Sequence, residues 1–246
     1  MKQSMRIELL DFARGIALIA MTIFHFAFDL ELFGVQERGF TAQPHWKYFA
    51  RSIATSFLFL AGFSLFLAHG KSIRWESWRW RMGKIVAAAV VITVATYFAT
   101  PDQYIFFGIL HAIAFASLVG LAFMRLPTLM LVLLAVIVFW VGMQYQTTLL
   151  SHWIWWWTGL SDARIVSSDF VPVFPWLSAP LLGIAAAKFA TEHGLIERLQ
   201  KPKLRGGVSS VIKFMGRNSL IYYLLHQPIM IAILLSFLYL SGNVPG

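Results

Sequence analysis

Seven apolar runs, bounded by polar residues or by Pro and Gly, divide this chain at about residues 9–28, 48–68, 83–100, 104–123, 127–143, 170–190 and 217–240. A hydrocarbon layer about 30 Å thick is crossed by roughly 20 apolar residues in helical form. Runs of that length, repeated, commit the chain to spanning helices, because lipid offers backbone amides no water and a helix satisfies them internally. The expected fold is all-α: a polytopic membrane bundle of about seven helices, forming one domain over residues 1–246. Charged residues are only 13% of the sequence, against about 25% in soluble domains, so no sizeable soluble module is expected. The opening MKQSMRIE leads into the first run with no small-residue cleavage site after it, which predicts an uncleaved first span.

Basic residues alternate along the chain. With the N-terminus inside, the segments between runs, taken with the run edges at 84, 188 and 217, place 15 Lys and Arg on the cytoplasmic side and 3 outside, leaving Arg14 and Arg51 deeper within runs. The positive-inside rule therefore predicts a cytoplasmic N-terminus and an external C-terminus. The net charge of +9 follows from topology and needs no nucleic-acid partner. Cysteine is absent, which excludes disulfides, thiolate metal sites and Cys nucleophiles and leaves any chemistry to His, Asp, Glu, Ser or Arg.

The first run is unusual. DFARGIALIAMTIFHFAFD, residues 11–29, carries Arg14 near its cytoplasmic end and His25 and Asp29 near its outer end. Arg14 and His25 are eleven residues apart, three helical turns plus about 20°, so they share a face and lie about 16 Å apart along the axis. Asp29, four residues after His25, is placed to bond one ring nitrogen and leave the other free as a base. Asp11 is placed to pair with Arg14. The plainer reading makes Arg14 and Asp11 interfacial anchors and His25 a packing residue, but ionisable groups inside spans are costly and usually face an interior or a water-filled cavity. Elsewhere, the tryptophans of SHWIWWWTGL (151–160) suit a membrane interface. Pro172, Pro175 and Pro180 interrupt the sixth run, and irregular backbone at that depth points to a cavity beside it.

LLDFARGIALIAMTIFH, with ten residues between Arg14 and His25, resembles the first helix of membrane acyltransferases, including the acyltransferase-3 proteins. FGILHAIAFASL (107–118), DFVPVFPWLSAPLLGIA (169–185) and MGRNSLIYYLLHQPI (215–229) bring the resemblance to one branch, the small bacterial relatives of heparan-α-glucosaminide N-acetyltransferase. The resemblance implies transfer of an acetyl group from cytosolic acetyl-CoA to an amino sugar or glycan on the external, periplasmic side of a bacterial inner membrane. His25 is then the general base or transient acyl acceptor, with Asp29 beside it and Arg14 holding the coenzyme. Lysosomal members carry Asn at the place of His25 and a histidine in the following loop, where this chain has His45.

Acetyl-CoA is expected as a co-substrate, with no tightly bound cofactor and no metal, since no H-x-x-x-H pair or carboxylate cluster occurs. Ser64 and Ser219 lack the flanks of a nucleophile elbow. Its phosphates call for a basic cytoplasmic surface; the candidates are loop 69–84, with Arg79 and Arg81, and the segment Lys203 to Arg217, with Asn218 adjoining it. Arg51, His111, Asp169 and His226 are candidate walls of the acceptor site, or ties between helices. Homo-oligomerisation is compatible with the chain. The competing class is a proton-coupled transporter or channel in which His25, Asp29 and His226 line the path; no inverted repeat of the transporter kind is visible.

Overall fold

The computed structural model describes residues 7–201 and 204–242. Ten α-helices account for most of them, with no β-ladder beyond an isolated bridge between Thr147 and Ser161. The helices are α1 (Glu8–Leu32), α2 (Pro44–His69), α3 (Trp75–Ala99), α4 (Ile109–Phe123), α5 (Thr128–Gln144), α6 (Val173–Trp176), α7 (Ser178–Glu192), α8 (Leu195–Gln200), α9 (Gly207–Arg217) and α10 (Ser219–Leu240). Helices α1, α2, α3, α10 and the combined stretch Val173–Glu192 are long and apolar enough to cross a membrane, whereas α4 and α5 are apolar but shorter, at 15 and 17 residues.

Local chemistry sets the helix ends. Glu8 and Asp11 occupy the first turn of α1, where carboxylates oppose the positive end of the helix dipole. After the last turn, Gly34 takes a left-handed backbone with φ 73°. Helix α2 begins on Pro44, whose missing N–H is harmless at a first helical position. Helix α3 begins eight residues before the apolar run it contains, because a helix continues past lipid into water wherever its residues allow. Residues 104–108 are not helical; Gly108 caps α4 instead. The sixth run is broken at Phe174, whose backbone is extended, and the Phe174–Pro175 bond is cis. An apolar pocket lies there, among Leu58, Phe115, Pro172, Trp176 and Pro180. In the tryptophan stretch, Trp153 and Trp155 are exposed while Trp156 packs on Phe106 and donates its indole N–H to the Ser151 carbonyl.

The chain divides into two compact units, Met1–Ala54 with Arg198–Gly246, and Thr55–Glu197. In the first, α1 packs against α9 and α10. The approach of α1 and α9 is so close that a methyl added at Gly15 would overlap the Ile212 carbonyl, and one at Gly216 the Asp11 carbonyl. In the second, α5 packs on α6 and α7, and α3 on α4. Leu65, Leu131, Ala135, Leu181 and Ile184 form its core. Gly62 of α2 lies on the Pro180 backbone and Gly183 of α7 on that of Phe59, so small residues let these two helices touch backbone to backbone.

Candidate active site

Three polar contacts tie α1 to α10. Thr22 meets Tyr222 at 2.9 Å, His25 Nδ1 meets His226 Nε2 at 2.8 Å, and Gln227 Nε2 donates to Asp29 Oδ1. Positions 22, 25 and 29 share one face of α1. Their partners ascend in the same order, so the two helices run parallel.

The direction of each hydrogen bond can be worked out. His226 Nδ1 lies 2.7 Å from the Tyr223 carbonyl, which only accepts, so that nitrogen carries the hydrogen. In the neutral ring Nε2 of His226 is then the acceptor. It takes its hydrogen from His25 Nδ1, and the remaining nitrogen of neutral His25, Nε2, is left with a lone pair. The same reasoning gives Tyr222 as donor to Thr22, because the Thr22 hydroxyl already donates to the Leu18 carbonyl at 2.9 Å. A carbonyl thus orients one histidine, which orients a second, and the second is poised as a base. His226 is buried and His25 half-buried.

The expected hydrogen bond from His25 to the Asp29 carboxyl group does not form. A partner on α10 at the same depth, His226, takes the ring nitrogen assigned to Asp29, and the next residue, Gln227, takes the carboxyl group. Asp29 is 0% exposed.

Toward the start of α1 the polar residues are charged. Asp11, also buried, accepts from Arg14 and from Arg217 of α9, each at 3.3 Å. Two guanidinium groups on one carboxylate leave a net positive charge, and Arg217 is 43% exposed. Lys213 binds Glu8 at 2.7 Å and the Leu204 carbonyl at 2.8 Å, completing the polar seam between α1 and α9. Arg14 and Arg217, separated by most of the chain, therefore meet at one carboxylate. Lys203, part of the predicted basic surface, lies outside the described residues.

The other sequence-predicted residues have different surroundings. Asn218 joins α9 to α10; its side chain donates to the Phe214 carbonyl and its own carbonyl accepts from Tyr222 N–H. Arg51 is exposed on α2. His45 is exposed, its ring 5.8 Å from that of Trp46. In the second unit, Arg79 is exposed and Arg81 half-buried on α3. His111 and Asp169 cap the start of α4, His111 accepting from Gly108 N–H at 3.2 Å and Asp169 from Ile109 N–H at 2.8 Å. His111 also lies 3.3 Å from the Thr93 hydroxyl.

Sequence reasoning missed Gln227, Tyr222 and Thr22, which share the seam with the histidines, and Glu31. That carboxylate receives Gly39 N–H at 2.6 Å, Thr41 N–H at 2.8 Å and the Thr41 hydroxyl at 2.6 Å, fastening the loop after α1. The loop leads to Trp46, which packs on Phe24, the neighbour of His25. Spacing on α10 held a signal, since residues 222 and 226 lie one turn apart. Among the described residues no three His, Asp or Glu side chains gather as metal ligands would.

No curated protein and no solved structure matches the chain closely enough for comparison. A family model described as heparan-alpha-glucosaminide N-acetyltransferase, catalytic, matches residues 6–228, a stretch that takes in Arg14, the histidine pair and Gln227. An all-helical chain with several apolar helices long enough to span a membrane, a buried histidine pair and a match over nearly its whole length belongs to the heparan-α-glucosaminide N-acetyltransferase catalytic family.

Proposed function

We propose that this chain transfers an acetyl group from acetyl-CoA, presented on the cytoplasmic side, to an amine or hydroxyl of an amino sugar or glycan on the external side of a bacterial inner membrane. The observation that carries the reading is the relay from the Tyr223 carbonyl through His226 to His25, with Arg14 about 16 Å away along the same helix and Arg217 of α9 sharing its carboxylate partner, Asp11. A long, thin pantetheine arm suits that separation. Arg14 and Arg217 hold the coenzyme's phosphates, and Arg79 and Arg81 add cationic surface on α3. Seven crossings with the N-terminus inside account for the basic-residue distribution. The parallel course of α1 and α10 agrees, because two spans running the same way are the first and last of an odd number.

In the reaction the acceptor nitrogen or oxygen attacks the thioester carbonyl carbon while His25 Nε2 takes its proton. The tetrahedral intermediate collapses, the carbon–sulfur bond breaks, and the proton held on His25 passes to the departing thiolate. His226 accepts from His25 Nδ1 throughout and so supports the imidazolium that forms.

The test is direct. Purified protein in lipid nanodiscs is melted with and without CoA, and thiol release from acetyl-CoA is followed with glucosamine as acceptor. CoA raises the melting temperature of the wild type, Arg14→Ala with Arg217→Ala abolishes that rise, and His25→Ala keeps the rise but stops thiol release. A folded wild type that neither binds CoA nor releases thiol refutes the reading.

A further inference from the structure

The Asp29–Gln227 contact has an imbalance. A carboxylate only accepts, and Gln227 Nε2 donates to Asp29 Oδ1. Asp29 Oδ2 and Gln227 Oε1 remain, both buried and neither with a donor. Both atoms are sealed from water, and among the described residues no Lys or Arg forms an ion pair with the carboxyl group. Rotating the Gln227 amide by half a turn worsens matters, since it sets an amide oxygen against Oδ1 and strands the donor. The nearest titratable side chains on the packed helices, His25 and His226, are bonded to one another. Two buried acceptors on one hydrogen-bonded pair of side chains, neither with a donor, leave the contact one hydrogen short, which a span does not tolerate.

We infer that Asp29 is a carboxylic acid rather than a carboxylate, closing a two-bond ring with the Gln227 amide: Nε2–H donates to Oδ1 and Oδ2–H donates to Oε1. One hydrogen satisfies both orphaned atoms and removes a charge from the span. The ring gives Asp29 a task other than assisting the base. Gln227 follows His226 directly, and Asp29 lies one turn beyond His25, so the ring fixes the register of α1 against α10 at which the two imidazoles meet. Asp29 and Gln227 are positioning residues, and His25 acts as a base without a carboxylate behind it. This inference stands whether or not acetyl-CoA is the donor, and its readouts do not use activity.

Infrared spectroscopy of the full chain in nanodiscs at neutral pH tests it. The wild type shows the carbonyl stretch of a protonated carboxylic acid; the band shifts on ¹³C-aspartate labelling and disappears in Asp29→Asn. An amide in place of the acid can close the same ring, so Asp29→Asn keeps the wild-type melting temperature while Asp29→Ala lowers it. The exchanged pair, Asp29→Asn with Gln227→Glu, keeps the melting temperature and moves the band from aspartate to glutamate label. A wild type without the aspartate-labelled band overturns the inference, as does an Asp29→Asn protein that melts as low as Asp29→Ala. If Asp29→Asn does not fold, the isotope shift in the wild type alone decides.

Discussion

Helices in the two units meet in the same way at the backbone and in opposite ways at the side chains. Gly15 and Gly216 bring α1 and α9 together in the first unit, as Gly62 and Gly183 bring α2 and α7 together in the second. Around the second contact the partners are apolar. Hydroxyls there turn back on their own helices, as Ser64, Ser117 and Thr191 do to the carbonyls four residues earlier. Around the first, Asp11, Thr22, His25 and Asp29 all reach across to another helix. Close packing of small and branched residues suffices to associate helices in lipid, and the contact of α2 with α7 relies on it. A polar seam is therefore not required for assembly, and its presence in the first unit singles it out as the candidate site for the proposed chemistry.

Four substitutions probe that contrast, beginning with the largest effect. His25→Ala lowers kcat for acetyl transfer about 10²–10⁴-fold, the range for loss of a general base, and lowers the melting temperature modestly because His226 Nε2 loses its donor. A variant that transfers acetyl at the wild-type rate removes His25 from the chemistry. Ile184→Ala acts the other way round. Ile184 is 1% exposed in the apolar core, and its truncation costs about 2–5 kcal/mol of stability, read by thermal or denaturant unfolding, while the folded fraction keeps its kcat. A drop in kcat with unchanged stability would erase the distinction between the units.

Next comes Gly216→Ala, whose new methyl overlaps the Asp11 carbonyl. Overpacking there costs about 1–3 kcal/mol, and because Arg217 follows directly, CoA binding weakens with it; calorimetric titration of CoA would show unchanged affinity if the α1–α9 contact were irrelevant to the coenzyme. Gly83→Ala is the smallest and has the opposite sign. This glycine lies within α3 with nothing within 4 Å of an added methyl, so alanine stabilises by about 0.5–1 kcal/mol through helix propensity alone. Destabilisation at Gly83 would mean that the face is covered.

Much of this fold can be read in the sequence, because burial in lipid imprints itself on consecutive residues. The apolar run at 127–143 matches α5 (Thr128–Gln144) to within a residue. Helix ends that depend on something other than lipid are less legible. Helix α3 extends through Trp75, Arg79 and Arg81 before its apolar part, and α1 runs on to Leu32 because α10 covers Asp29. At the candidate site, periodicity puts Arg14 and His25 on one face of α1, and the spacing of Asp11 matches its bond to Arg14. Spacing within one helix also offers Asp29 as the partner of His25, since i+4 is the only neighbour visible locally. The actual partner, His226, comes from the far end of the chain. Nothing in the order of residues encodes which two faces will meet when both are apolar but for a few polar groups.

The histidine pair joins residues 201 positions apart, the first long helix of the chain and its last. At a synthesis rate of about 5–20 residues per second, roughly 10–40 s separate their emergence. During that interval α1 is in or beside the membrane with His25 and Asp29 unmatched, so it must be shielded by the insertion machinery or wait shallowly until α10 arrives. A chain lacking α10 would leave those groups without partners in lipid, so the seam makes the burial of α1 depend on a helix made long after it.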